Sequence, residues 1–358
     1  MRFPPNVLRS RLKRFQGKIW EMGLDGVMLR ALSSYIYFTG VKWLRPSLFI
    51  PREGEPIAFV AEGEKEGFME RTWISNIVTY TDGRDLMSKV IRLLRDHDVR
   101  KIGMEFGLER DAYILFYELF KKLNPKIEIT DIGSILAEMR MIKDDYEVSA
   151  IRKAGEKALS IVRQEVSETE LAAEIYSMLY KLGSEEPHVY INAGPHPRVH
   201  AEPFRDLFIE KNTFVTIIVA ADHDRYYADM TRTVYVGDSM STEVKRVIKC
   251  SEEVYSEALE LTRPGVKLMT VIDSLDKIYA RHGLLKHRVI GYTHGVGLQV
   301  EEPPITTIVP QHRAIVVKPR MVLAFIHSPI MYEGLGQFKK EDTFIVGEDG
   351  LENVTSLK

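Results

Sequence analysis

Leu8, Leu12, Phe15 and Ile19 recur at helical spacing between Val7 and Met22, and Gly23 follows, so the chain is predicted to open on an amphipathic helix. The apolar runs then shorten to strand length: 26–30, the stretch YIYFTGV, 47–51, 57–61, 77–80, 101–105 and 127–129. Helical patterns over 85–96 and 111–123 interleave with the later runs, which is the alternation of an α/β domain. No Gly-rich phosphate loop follows any of these strands, so nucleotide binding has no support.

The texture changes around residues 131–146. SILAEMRMIKDDYEVSAIRKAGEKALSIV carries charge and helix formers through two helical segments, with Asp144 and Asp145 as caps for the second. We place the domain boundary here, giving domains 1–135 and 136–358. Ser167 and Glu170 form an S-x-x-E capping box for a helix that runs to Lys181 and is closed by Gly183. The loop PHVYINAGPHPRVHAEP follows, then a β-rich pair, long helices over 242–261 and 268–281, and a strand-rich final third.

The β-rich pair reads FVTIIVAADHDRYYADMTRTVYVG, from Phe214 to Gly237. Its two apolar runs flank the polar cluster Asp222-His223-Asp224-Arg225, which predicts a hairpin whose turn lies outside the core. Asp229 stands inside the second strand. An unpaired carboxylate there costs several kcal/mol, so a cation or a metal is expected beside it.

At 358 residues the chain exceeds the usual single-domain size, and two cores are expected. Hydrophobic residues make up 45%, and 49 basic residues face 51 acidic ones, which argues against a general nucleic-acid or membrane surface. No run approaches the ~18 apolar residues of a membrane span, and MRFPPNVLRSRLKRF lacks a signal core, so a soluble cytoplasmic protein is expected. The single cysteine, Cys250, lies in a helical pattern and reads as packing.

Four separated places insert a ligand-type residue into a structural run: Asp229 in ADMTRT, His294 in GYTHGVGLQVEEPP, Glu341 in KKEDTFIV, and His200 in a Pro- and Gly-rich loop. Gly295 and Gly297 leave the surroundings of His294 open to close backbone approach. Asp, His and Glu together suit a hard or borderline divalent ion if folding brings them together. Taken singly, a loop histidine reads as solvated, and a strand Asp near Thr231 and Arg232 reads as salt-bridged.

The ordered set RMIKDDYEVSAIRKAG, SETELAAEIYSMLYKLG, INAGPHPRVHAEP, YYADMTRTVYVG, THGVGLQVEEPP and KKEDTFIVGEDG resembles the creatinase, prolidase and aminopeptidase P family, and spans both halves of the chain. The resemblance implies fold class α/β (α+β), with an N-terminal creatinase/prolidase-type α/β domain before a C-terminal pita-bread domain. It also implies a homodimer and, in the peptidases, two bridged divalent metals that activate water against peptides carrying proline next to the scissile bond.

The family's metal cage uses two aspartates, one histidine and two glutamates. Asp229, His294 and Glu341 match three of these, whereas Ile218 stands where the first aspartate belongs. The other glutamate falls on Ile326 counting forward from Met321, or on His327 counting back from Glu341. The resemblance therefore implies a lost two-metal site and at most one divalent ion (manganese, cobalt or zinc), or none, on Asp229, His294, Glu341 and an inward-pointing His327. Glu301 replaces the family's second histidine, Lys339 replaces an arginine, and His200 matches the substrate-side loop histidine. His200, Glu301 and Lys339 are accordingly the candidate catalytic residues. Three functions are expected in competition: an Xaa-Pro peptidase-like hydrolase with a degenerate metal site, a metal-free creatinase-like hydrolase, and a non-catalytic peptide- or protein-binding relative. The expected partners are a peptide or small-molecule substrate, with no nucleic acid and no membrane.

Overall fold

A computed structural model describes residues 3–43, 47–106, 112–155, 166–199 and 202–356. They divide into two compact units, Met1–Glu138 and Met139–Lys358. No helix among the described residues is long and apolar enough to cross a membrane.

In the first unit, α1 (Pro5–Glu21) buries the stripe Leu8, Leu12, Phe15 and Ile19. Strand β1 (Gly26–Leu29), helix α2 (Leu32–Thr39), β2 (Leu48–Pro51), β3 (Ile57–Ala61), α3 (Lys65–Met69) and β4 (Asn76–Tyr80) follow. Then come α4 (Gly83–Asp96), β5 (Lys101–Met104), α5 (Ala112–Leu123) and β6 (Glu128–Asp131). The strands form a mixed sheet in the order β4-β3-β2-β1-β5-β6. Helix α4 starts at Asp82, whose carboxylate accepts from the amides of Arg84 (2.8 Å) and Asp85 (2.9 Å), and it buries Leu86, Met87, Val90 and Leu94. One strand expected from the sequence is corrected: YIYFTGV lies in and just beyond α2, not in a strand. That helix is buried over nearly its whole length, so its β-branched and aromatic residues carry no polar face to mark the helical period.

The division falls within α6 (Gly133–Met141), after which α7 (Asp145–Gly155) and α8 (Glu168–Lys181) precede three antiparallel strands. These are β7 (His188–Ala193), β8 (Thr213–His223) and β9 (Tyr226–Val236), in that spatial order. The hairpin turn is tighter than its composition suggested. Asp222 and His223 belong to β8, Asp222 is fully buried, and only Asp224 and Arg225 turn, both at positive φ (51° and 72°). Asp222 is held inside by Ser184 Oγ at 2.6 Å and by the amides of Glu185 and Glu186.

Helices α9 (Thr242–Leu261) and α10 (Leu268–Arg281) lead to β10 (Thr293–Gly295), β11 (Glu302–Ile305), β12 (Val322–Phe325), β13 (Ile330–Tyr332), β14 (Gly336–Phe338), β15 (Asp342–Val346) and β16 (Leu351–Asn353). Five of these strands form a sheet in the order β11-β10-β12-β15-β16. Cys250 is buried in the core cluster that α9 and α10 share with β12 and β15.

Helix α8 carries the expected capping box: Ser167 Oγ accepts from the Glu170 amide, and the Glu170 carboxylate accepts from the Ser167 amide at 2.9 Å. Ser167→Ala is expected to lower stability by about 0.5–2 kcal/mol in a denaturant titration; an unchanged midpoint would show that the cap contributes nothing.

Candidate functional site

Strand pairing fixes which side chains share a face, because directly opposed residues of an antiparallel pair point the same way. On β7-β8-β9 one face carries Val189, Ile191, Val215, Val219 and Met230, packed with Leu171 and Ile175 of α8. The opposite face carries His188, Tyr190, Ile218, Asp229 and Thr231. In the five-stranded sheet, Leu323, Phe325 and Phe344 enter the core, while His294, Ala324 and Thr343 align on the other side. Thr231 and Glu341 bridge the two sheets through a pair of backbone hydrogen bonds of 3.1 and 3.2 Å. The polar faces of both sheets therefore meet around Asp229, His294 and Glu341.

Asp229 Oδ2 lies 3.4 Å and Glu341 Oε1 3.6 Å from His294 Nε2. All three residues are buried, with exposures of 2%, 0% and 0% in the order Asp229, His294, Glu341. His294 Nδ1 is 2.9 Å from the Gly295 carbonyl, which accepts only if Nδ1 carries the proton. Nε2 is left buried without a hydrogen bond. It faces two carboxylate oxygens at 3.4 and 3.6 Å without a hydrogen bond to either, an arrangement suited to an intervening cation. One ligand atom from each of the three residues lies within 4.8 Å of the others.

His327 and Ile326 separate cleanly. Ile326 has φ 61°, a strained value for a β-branched residue, and its side chain is in the core cluster. That backbone twist sends His327 the other way, so His327 and not Ile326 reaches the site. Its Nδ1 is 3.1 Å from Glu341 Oε1 and its Nε2 is 3.4 Å from Glu301 Oε1, and its ring meets that of His294 edge-on at 4.4 Å. Glu301 is the more accessible of these carboxylates, with 28% of its side chain exposed. Lys339, 1% exposed, places Nζ 2.7 Å from Glu341 Oε2 and 3.2 Å from His327 Nδ1. His200 lies outside the described residues.

The electrostatics follow from this packing. Burial raises the Asp229 carboxyl, and the Glu341 charge adds to it. Burial opposes the charged form of His294, yet the carboxylates of Asp229 and Glu341 outweigh it and raise the imidazole well above its ordinary value. Glu341 is likewise opposed by burial but is held well below the carboxylate range, foremost by Lys339. Burial, Lys339 and His294 push His327 down to about 3, so that ring is neutral.

Two hydroxyls complete the cluster, and sequence reasoning missed both. Thr343 Oγ1 is 2.9 Å from Asp229 Oδ1, and Thr231 Oγ1 donates to Glu341 Oε2 at 2.7 Å. Each follows an acid by two positions, Asp229-x-Thr231 and Glu341-x-Thr343, and that spacing keeps acid and hydroxyl on one side of an extended chain. Gly295 and Gly297 do permit close approach, but by β11 rather than at the imidazole. A Cβ on Gly295 would run into the Pro303 carbonyl, and one on Gly297 into the Glu302 carboxylate.

Residues 147–348 match the model of metallopeptidase family M24, and residues 11–142 match that of the Creatinase/Prolidase N-terminal domain. The chain belongs to metallopeptidase family M24. Its α/β organisation, an N-terminal creatinase-type domain before an M24 domain of pita-bread type, is that of the prolidase-like members. Among its relatives, the Xaa-Pro dipeptidase of Pyrococcus furiosus is 25% identical over 360 residues, covering 98% of this chain and 99% of that one. A creatinase of Bacillus sp. is 21% identical over 381 residues, covering 97% and 89%. In fold, this M24 chain superimposes on the crystal structure of the prolidase from Pyrococcus horikoshii OT3 with a TM-score of 0.85 at 24% identity, covering 98% of this chain and 99% of that one.

Proposed function

We propose that this M24 chain is an Xaa-Pro dipeptidase-like hydrolase working with a single divalent ion, held by Asp229, His294 and Glu341 with His327 as a fourth donor. The observation that carries this reading is His294 Nε2, buried without a hydrogen bond between Asp229 Oδ2 and Glu341 Oε1. The donor set supports it: imidazole and carboxylate suit manganese, cobalt or zinc, and the three ligands Asp229, His294 and Glu341 plus a water match the stoichiometry of catalytic mononuclear sites. An ion bound there supplies Lewis-acid polarisation of the peptide carbonyl and activates water.

The chain's own residues do the rest. Thr343 and Thr231 orient the Asp229 and Glu341 carboxylates. Glu301, on the accessible side of the cluster, receives the ammonium group of the substrate. Tyr190 and Ile218, opposed across β7 and β8 on the site face, offer an apolar floor for a prolyl ring. His200 is assigned substrate-side proton transfer, a role resting on the family resemblance alone.

A second reading is metal-free hydrolysis of a small cationic compound. It is favoured by Lys339 Nζ, a cation already seated 2.7 Å from Glu341, and by the likeness to a creatinase. Elemental analysis after manganese, cobalt or zinc reconstitution, paired with Xaa-Pro dipeptide cleavage, tests both. The expected result is about one ion per chain and cleavage that a chelator abolishes. No cleavage with any of the three metals overturns the first reading, and turnover of a guanidino compound in chelator establishes the second.

A further inference from the structure

We propose that Lys339 is the built-in second cation of this site, an ammonium standing where a dinuclear centre would need its other metal, and that it limits the protein to one ion. This rests on the single-ion reading above and adds to it a residue that sets the metal count.

The two oxygens of Glu341 are divided between two environments. Oε1 faces the imidazoles, 3.1 Å from His327 Nδ1 and 3.6 Å from His294 Nε2. Oε2 faces Lys339 Nζ and the Thr231 hydroxyl, each at 2.7 Å. A carboxylate bridging two ions must give one oxygen to each, and here the second oxygen is already engaged by a full positive charge. The ammonium is as enclosed as a resident ion, since the Lys339 side chain is 1% exposed and Glu341 is not exposed at all. Its backbone is fixed to β9: Thr233 Oγ1 donates to the Lys339 carbonyl at 2.7 Å and accepts from its amide at 2.9 Å. The residue type matters, because a lysine ends in a compact point charge on a flexible stem, whereas a guanidinium is a broad planar fork.

Ile218 supplies the other half of the argument. It lies opposite Thr231 on the face that carries Asp229, buried and without an oxygen to offer a cation. The buried charge then balances for one ion. With His294 neutral as an ion ligand, Asp229, Glu341 and the partly exposed Glu301 bring three negative charges and Lys339 cancels one, leaving two negative charges to face one divalent ion. A second divalent ion would leave buried positive charge in excess.

The test is the metal content of reconstituted wild-type, Ile218→Asp, Lys339→Met and Ile218→Asp/Lys339→Met proteins, by plasma mass spectrometry and by calorimetric titration with manganese. Circular dichroism and melting curves check folding. Restoring the carboxylate alone is expected to add no ion, because the ammonium still holds Glu341 Oε2. The double variant is expected to take up about one ion more than wild type. Full gain by Ile218→Asp alone, or no gain by a folded double variant, overturns the proposal.

Should the double variant fail to fold, anomalous diffraction from manganese-soaked wild-type crystals decides. One peak beside the imidazoles with Lys339 on Glu341 supports the proposal, and two peaks about 3.5–4 Å apart overturn it. A wild-type protein that binds no ion removes the single-ion reading, while the increment between variants still reports on Lys339.

Discussion

Glu302→Ala is expected to lower the stability of the second unit by about 3–5 kcal/mol, the range for breaking a buried ion pair from one side. Glu302 is 2% exposed and accepts from Arg140 at 2.6 Å and from Lys143 at 2.7 Å, both themselves buried. Removing the carboxylate takes away the buried anion that both cations face. At roughly 2–4 °C per kcal/mol the melting temperature falls by about 6–20 °C. A loss under ~1 kcal/mol would mean that water reaches the cations and the pairing is not a keystone.

The same group gives the pH dependence its sign. Burial raises the Glu302 carboxyl, but Lys143 and Arg140 outweigh it and the net shift is downward. A depressed carboxylate stabilises the fold above its unfolded value, ~4.3, and that contribution fades as pH falls through the lower folded value. Wild-type and Glu302→Ala melting curves are therefore expected to lie far apart at neutral pH and to converge in acid below that range. The effect reaches the site, because Glu302 begins β11, which pairs with β10 beside His294 and follows directly on Glu301.

Much of this architecture was legible in the chain because local rules and tertiary packing agree. Helices α9 and α10 fall on the residues their periodicity marked, and the Ser167–Glu170 box forms as read. Asp144 caps α7, accepting from the Glu147 amide at 3.0 Å while Glu147 answers at 2.9 Å. Where packing overrides local pattern, reading failed. YIYFTGV is a buried helix, and Asp222 is a polar residue admitted to the interior because three donors meet its carboxylate.

The site divides along the same line. Asp229, His294 and Glu341 are visible as ligand types in structural runs, but nothing local says they converge, since the outer two stand 112 positions apart. The choice between Ile326 and His327 was undecidable by counting, because the ambiguity of one residue is absorbed at a positive φ that no propensity predicts. In the sequence Lys339 reads as an exchange for arginine that keeps the charge and loses the bidentate fork. Its significance lies in where a lysine's charge ends, 2.7 Å from one oxygen of Glu341, a distance that exists only in the fold. Thr231 and Thr343 left a faint trace, the acid-x-Thr spacing shared by two strands.

On the proposed single-ion reading, His294→Ala is expected to cripple metal uptake and hydrolysis while leaving the protein folded. The imidazole is the axis of the cluster: its Nε2 is the buried atom without a hydrogen bond, and both Asp229 and Glu341 face it. Alanine leaves those two carboxylates across an enlarged gap, with Lys339 as the nearby charged partner of Glu341. Metal affinity should fall by more than the 10–100-fold typical of losing an outer hydrogen-bond partner. If Lewis-acid activation supplies several kcal/mol of the barrier reduction, turnover should fall on the order of 10³-fold. Elemental analysis, calorimetry and Xaa-Pro cleavage read these effects separately. A folded His294→Ala protein that still takes up an ion stoichiometrically would move the metal away from this imidazole. One that loses the ion but keeps full turnover would make the chemistry metal-independent and return the protein to the creatinase-like alternative.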